Sequence, residues 1–239
     1  MNRIPIFIIT KDRLSVLKES ILSYEKNIST PYEIVIHDNN STYEPMVEYL
    51  KDLEKDGIKI YRYKENNLEI IDRTINAWYK NNDSKYYVVT DPDISLDCNG
   101  KTDILDFYSY MLNKYKCTVV GPMLLIDDIP DYYPLKNKVL EKHEKRFWGG
   151  KFKNIRWNGK NVKFLRTKID TTFGVYEKSF DFKRLNKGIR TCHPYVARHL
   201  DWYIDESNMT EDQKYYLENA SKLAHWGSSY LKERNNLEK

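Results

Sequence analysis

The chain has 239 residues, with 39 lysines and arginines against 35 aspartates and glutamates and a formal net charge of +4. That length suits one large domain whose core needs neither a metal nor a disulfide to fold. Acids and bases are interleaved, which argues against a nucleic-acid-binding stripe, and no apolar run nears the ~20 residues of a membrane span.

The opening run 4–10 (IPIFIIT) is short, holds a proline and leads into charged residues, so it reads as a first strand and not a signal peptide. Residues 12–27 follow with Leu14, Leu17, Ile21 and Tyr24 on one helical face and Asp12 placed to cap it. A strand over 32–38 comes next, then a helix over 41–57 with Ser41 or Thr42 as cap, Pro45 in its first turn and Gly57 as its stop. A strand over 58–63, a helix over 68–82, a strand over 86–90, a helix over 103–115 and a strand over 117–121 complete the first half. Short apolar strands alternating with amphipathic helices predict βαβ units and a parallel sheet.

After Gly121 the pattern loosens. Residues 126–138 are turn-rich, 139–150 read as a short helix stopped by glycines, and 162–176 as a hairpin or two successive strands. Residues 190–205 are partly extended, and a last helix over 210–226 takes Thr210 as its cap with acids in its first turn. The reading is a single domain, 1–239, with a regular half (1–120) and an elaborated half (121–239). The three cysteines, Cys98, Cys117 and Cys192, form no C-x-x-C pair, so neither a zinc knuckle nor a disulfide framework is indicated and a reduced intracellular setting is expected.

Ligands of open parallel sheets bind beyond the carboxyl ends of the strands. Here those ends read TKDR, HDNNST and TDPD, and a later strand ends in DTT. In an extended stretch, residues i and i+2 point to one side, and Pro92 restricts Asp91 and itself. Asp91 and Asp93 would then converge on one point. Two such anions need a compensating cation, and hard oxygen donors suit Mg²⁺ or Mn²⁺. The plainer alternative leaves Asp93 capping a turn and Asp91 in water. Twenty tyrosines weakly favour a site for sugar or base rings. Ser95 to Asp106 falls near EF-hand spacing, but opens on serine and closes on aspartate instead of glutamate.

PIFIITKDR, IVIHDNNST, IIDRTINAW and YYVVTDPDISLD, in this order and spacing, resemble the nucleotide-sugar half of GT-A fold glycosyltransferases, especially those like glycosyltransferase family two. The resemblance covers about Ile4 to Leu96. It implies a Rossmann-like, mixed but mostly parallel sheet flanked by helices, with an acceptor-binding second half. It implies Thr10 and Arg13 near the nucleotide, Asp38 at the base with Asn40 beside it, and Arg73 with Asn76 near the diphosphate. It implies Asp91 at the ribose and Asp93 as the more direct ligand of Mn²⁺ or Mg²⁺.

The same resemblance implies a UDP- or GDP-sugar donor and a glycan, lipid-linked or protein-glycan acceptor. The reaction would invert the sugar and be assisted by an aspartate about a hundred residues after Asp93. Asp201 has a suitable separation, Asp170 sits at a strand end, and Asp205 is a third candidate. His225 could return to the metal, and Trp148 could sit on a mobile loop over the sugar; His193 and His199 read as packing residues. A cytoplasmic enzyme, at most in peripheral contact with a membrane, is expected. A sugar-1-phosphate nucleotidyltransferase is the less favoured alternative, since TKDR lacks a glycine-rich phosphate loop, as is a non-catalytic carbohydrate-binding domain of the same fold.

Overall fold

The structure is a computed structural model describing residues 3–219. One mixed sheet runs through it, in the order β3-β2-β1-β4-β9-β6-β10-β8-β7, with β5 added on β10. The first strands are β1 (Ile4–Thr10), β2 (Tyr32–Asp38), β3 (Lys59–Arg62) and β4 (Tyr86–Thr90). They lie parallel, as the alternation predicts, joined by α1 (Leu14–Asn27), α2 (Glu44–Lys55) and α3 (Leu68–Lys80). Both faces of β1 are covered, so it is apolar throughout. Ile4, Ile6 and Ile8 enter one core cluster with α1 and α2, while Phe7 and Ile9 enter another with Ile71, Ile75 and Tyr79 of α3. Period-two alternation thus assigns successive residues to opposite layers.

Beyond β4 the topology departs from simple alternation. The chain turns at Pro92 and Asp93 into β5 (Ile94–Asp97), then passes through α4 (Ile104–Tyr115) to β6 (Val119–Leu124). Ser95 and Asp97 therefore belong to a strand, and the Asp103 carboxylate accepts from Trp157 and Tyr195. Among the described residues this stretch is not a calcium loop. Helix α5 (Lys136–His143) continues as a π-helical turn over Glu144–Trp148.

β8 (Lys160–Ile169) and β9 (Gly174–Glu177) are two successive strands, matching one of the two readings, and do not pair as the hairpin alternative requires. β9 is inserted antiparallel between β4 and β6. The hairpin is instead β7 (Lys153–Trp157) with β8, turned by Asn158 and Gly159 at φ 44° and 79°. That is the left-handed pair a two-residue hairpin turn requires. β10 (Asn186–His199) is the long organiser, pairing with β8, with β6 across a register shift between Thr191 and Val196, and with β5. α6 (Glu211–Asn219) starts with Thr210 and Gln213 exchanging capping hydrogen bonds. No helix among the described residues is long and apolar enough to cross a membrane.

Candidate active site

Register sets the stage: Thr10 pairs with Asp38 and Ile8 with Thr90, so three parallel strands end together. Past Thr10, Asp12 takes a left-handed φ of 52° and sends its carboxylate to the backbone N–H groups of Thr42 (2.6 Å) and Tyr43 (2.8 Å). It therefore fixes the chain that enters α2 and does not cap α1. The first turn of α1 is served from far along the chain, where Asp212 accepts from the Ser15 N–H (2.8 Å) and hydroxyl (2.7 Å).

Arg13, at the start of α1, is buried. Its guanidinium donates to both carboxylate oxygens of Asp201, lies 3.5 Å from Asp93 Oδ2 and stacks 4.2 Å over the Tyr216 ring. Burial opposes the Arg13 charge, but Asp201 and Asp93 outweigh it and hold the group above its ordinary range. Burial also acts to raise Asp201, and Arg13 overcomes it, holding that carboxyl below the usual range. Asp93 is shifted upward, chiefly by burial.

β5 and β10 bring in a third group. His199 pairs with Ile94, the Leu200 N–H bonds the Asp93 carbonyl (2.8 Å), and His199 Nε2 lies 3.9 Å from Asp93 Oδ2. Its ring stacks on Trp202 at 4.9 Å and 8°. Asp93, His199 and Asp201 offer ligand atoms that all lie within 4.8 Å of one another. Asp93 Oδ1 and His199 Nδ1 are buried with no hydrogen-bond partner. Two carboxylates and an imidazole, with two buried polar atoms unserved, fit a divalent ion such as Mn²⁺.

Asp91 does not join them. Its N–H bonds the Thr171 carbonyl (2.8 Å), its carboxylate accepts from the Thr171 hydroxyl, and burial, then Asp93, push it up to about 7. Strand β4 ends at Thr90 and Pro92 and Asp93 form a turn, so strand alternation does not place the two carboxylates on one side.

These groups line a cleft of about 610 Å³. Of the residues expected from sequence, Thr10, Arg13, Asp91, Asp93, Asp170 and Asp201 line it. Asp170 keeps about half of its side chain exposed, and although its partial burial acts to raise the carboxyl, the buried Arg190 guanidinium 3.1 Å away holds it below the usual range. Asp38 sits behind the wall, accepting from the Ser41 N–H (3.0 Å), and its neighbour Asn39 faces the cleft instead. Asn40 (φ 66°) is absorbed in the same turn, its N–H bonding the Asp38 carbonyl.

Arg73 is not brought to the cleft. It is exposed and lies 3.5 Å from Glu69, one turn away on its own helix. Arg184 lines the cleft in its stead, gripped by the preceding residue of that helix, Asp72, at 3.1 and 2.8 Å. Asn76 binds the Phe182 backbone, and Asp205 caps Ser207 in an exposed turn. Trp148 donates to the Leu124 carbonyl (3.2 Å), while its neighbour Phe147 reaches the cleft. His225 lies outside the described residues. Among the cleft residues that sequence reasoning did not place there are His199, read as packing, and Arg184. The His-x-Asp spacing of 199 and 201 was the available signal for the first.

Parallel strands ending in this cleft, with β9 and β10 extending the sheet, define the GT-A architecture of glycosyltransferases. The profile of "Glycosyl transferase family 2" matches residues 6–174. The chain belongs to that family. Among solved structures it is similar to GalNAc-T7 with UDP, GalNAc and Mn²⁺, at 13% identity and TM-score 0.51, over 99% of this chain and 55% of that one. It is also similar to the Pyrobaculum calidifontis mannosyltransferase PcManGT in complex with GDP-Man and Mn²⁺, at 18% identity and TM-score 0.39, over 53% of this chain and 37% of that one. A third is S. aureus TarS 1–349 in complex with UDP-GlcNAc, at 12% identity and TM-score 0.46, over 97% of this chain and 72% of that one. The chain thus spans about half or less of the first two proteins it is compared with. No curated protein matches it.

Proposed function

We propose that this chain transfers a sugar from a UDP- or GDP-linked donor to a hydroxyl of a glycan, lipid-linked or protein-glycan acceptor, with Mn²⁺ or Mg²⁺ and inversion at the sugar. The observation that carries this is the buried Asp93–His199–Asp201 cluster, bridged by Arg13 at the carboxyl edge of a family-two sheet. Asp93 and His199 would hold the ion, which when bound stabilises negative charge on the departing diphosphate.

Arg13 and Arg184 line the same cleft and supply cations for the diphosphate. Thr10, Asn39 and Asp91 frame the nucleotide, with Asp91 braced by Thr171. Asp201 is the base. As Arg13 turns from it to the diphosphate, its carboxylate takes the acceptor proton. The acceptor oxygen bonds the anomeric carbon, and the bond from that carbon to the diphosphate breaks. Asp170, paired with Arg190 as Asp201 is with Arg13, is the second candidate for that role.

The test is a panel of nucleotide sugars assayed for hydrolysis and transfer with and without Mn²⁺. Asp201→Asn should abolish transfer and leave donor affinity intact; full transfer in that variant would move the role to Asp170. The Arg13 bridge also supports a second reading, a binding domain without turnover. Nucleotide-sugar binding indifferent to Mn²⁺, with no transfer to any acceptor, would identify it.

A further inference from the structure

A second hollow, of about 560 Å³, opens where the α4–β6 connection, β8 and β10 meet the π-helical turn. Lys116, Arg146, Arg166, Lys168 and Lys187 line it, and no carboxylate does. Elsewhere on the surface several lysines do find acids: Lys51 with Glu48, Lys55 with Asp52, and Lys145, beside Arg146, with Glu141. Among the described residues none of the five lies within 4.0 Å of a carboxylate oxygen. Lys116 follows α4, where a cation complements the helix dipole, and Arg166 donates to the Tyr115 carbonyl (2.9 Å), so these two have structural employment.

Lys168 and Lys187 do not. They are direct partners across β8 and β10, and like charges directly opposite one another destabilise a sheet. Two lysines facing each other beside an acid-free hollow point to an anion that bridges them. Mixed arginine and lysine donors suit phosphate, which takes both a forked and a point cation.

The position says what carries the phosphate. Arg146 lines both this hollow and the donor cleft, and Thr167 and Lys168 lead within a few residues to Asp170 and Thr171 of that cleft. We propose that the hollow binds phosphate groups of the acceptor substrate, holding a phosphorylated acceptor beside the transfer site. Calling the ligand the acceptor rests on the transferase reading above; the anion site does not.

The test titrates inorganic tripolyphosphate into the full chain in EDTA, by calorimetry, and compares Lys187→Glu. That substitution sets opposite charges across the strand pair, so the melting temperature should hold or rise. Affinity for tripolyphosphate should fall by about tenfold or more, the loss of one charge-assisted contact and the gain of a repulsion. No binding by the wild type, or equal binding by the variant, overturns the site. A second arm sediments both proteins with vesicles of phosphatidylglycerol and phosphatidylcholine. Sedimentation lost in Lys187→Glu assigns the phosphate to a lipid-borne acceptor. Tripolyphosphate binding without sedimentation assigns a soluble one. Vesicle binding that survives the substitution, without tripolyphosphate binding, overturns the proposal. Titrating UDP- and GDP-sugars with Mn²⁺ into the same samples reports on the transferase reading separately, since Lys187 lies outside the donor cleft.

Discussion

Arg13 is the single cation within ion-pair reach of both Asp93 and Asp201 among the described residues. Removing one partner of a buried ion group leaves uncompensated charge. Arg13→Gln should therefore cost about 3 kcal/mol of folding stability in EDTA, measured by urea denaturation. Mn²⁺ should then raise the variant's stability by more than the wild type's; an equal or smaller rise would mean that Asp93 does not lie in a cation site. A separate pH effect belongs to His37 and His143. Burial pushes each ring down to about 3, so the folded protein keeps them neutral. Below the ordinary histidine value of about 6.5 the unfolded chain binds protons that the folded one refuses. Their stabilisation is complete above that pH and is lost as pH falls toward 3, with a slope of roughly 1.4 kcal/mol per pH unit for each ring. His37→Gln should flatten the fall in urea midpoint between pH 7 and 5; an unchanged slope would exclude His37 as a source. As for the site itself, Thr10, Arg13, Asp91, Asp93 and Asp170 stood out at or just past strand ends, and Asp201 through its separation from Asp93 in the family-two resemblance. His199 and Arg184 did not. The first depends on β10 meeting β5, and the second on a grip by Asp72 across 112 residues, which no local pattern reports.

At the scale of elements, α1 borrows its cap from Asp212, so Asp212→Ala should cost about 1 kcal/mol and loosen the start of α1. Hydrogen exchange at Ser15 checks it, and unchanged protection there would contradict the cap. Gly188 marks a close approach of β10 to β6, since an added Cβ would stand 2.3 Å from the Val119 carbonyl oxygen. Gly188→Ala must push the strands apart, at a cost of about 1–3 kcal/mol in urea denaturation; a wild-type midpoint would mean that the strands are not so close. The first four strands and the helices between them follow from apolar period and turn residues alone. The later strands were harder, because β9 leaves its sequence neighbour β8 to pair with β4 and β6, a choice set by tertiary packing. One local signal was there to be used: Asn158-Gly159 marks the β7–β8 hairpin directly.

Across the whole molecule, one core cluster runs from Ile4 and Leu17 to Phe164 and Trp202, and β10 stitches β5, β6 and β8 into the same sheet. The two halves should therefore unfold together. Trp78 reports on the first half, and Trp157 and Trp202 on the second. Single-tryptophan variants should give coincident urea midpoints, whereas separate midpoints would divide the chain into two folding units. The cleft depends on this continuity, since Arg13 and Asp93 come from the first half and His199 and Asp201 from the second. The account's central claim is that this shared cluster holds a metal for a nucleotide sugar. Calorimetric titration of UDP- and GDP-sugars in Mn²⁺, on the wild type and on Asp93→Asn, tests it most directly. The account predicts that at least one donor binds the wild type and that Asp93→Asn weakens it by about 100-fold or more, beyond what loss of an outer-shell partner costs. Absence of binding by every donor, or equal affinity in the two proteins, would contradict it.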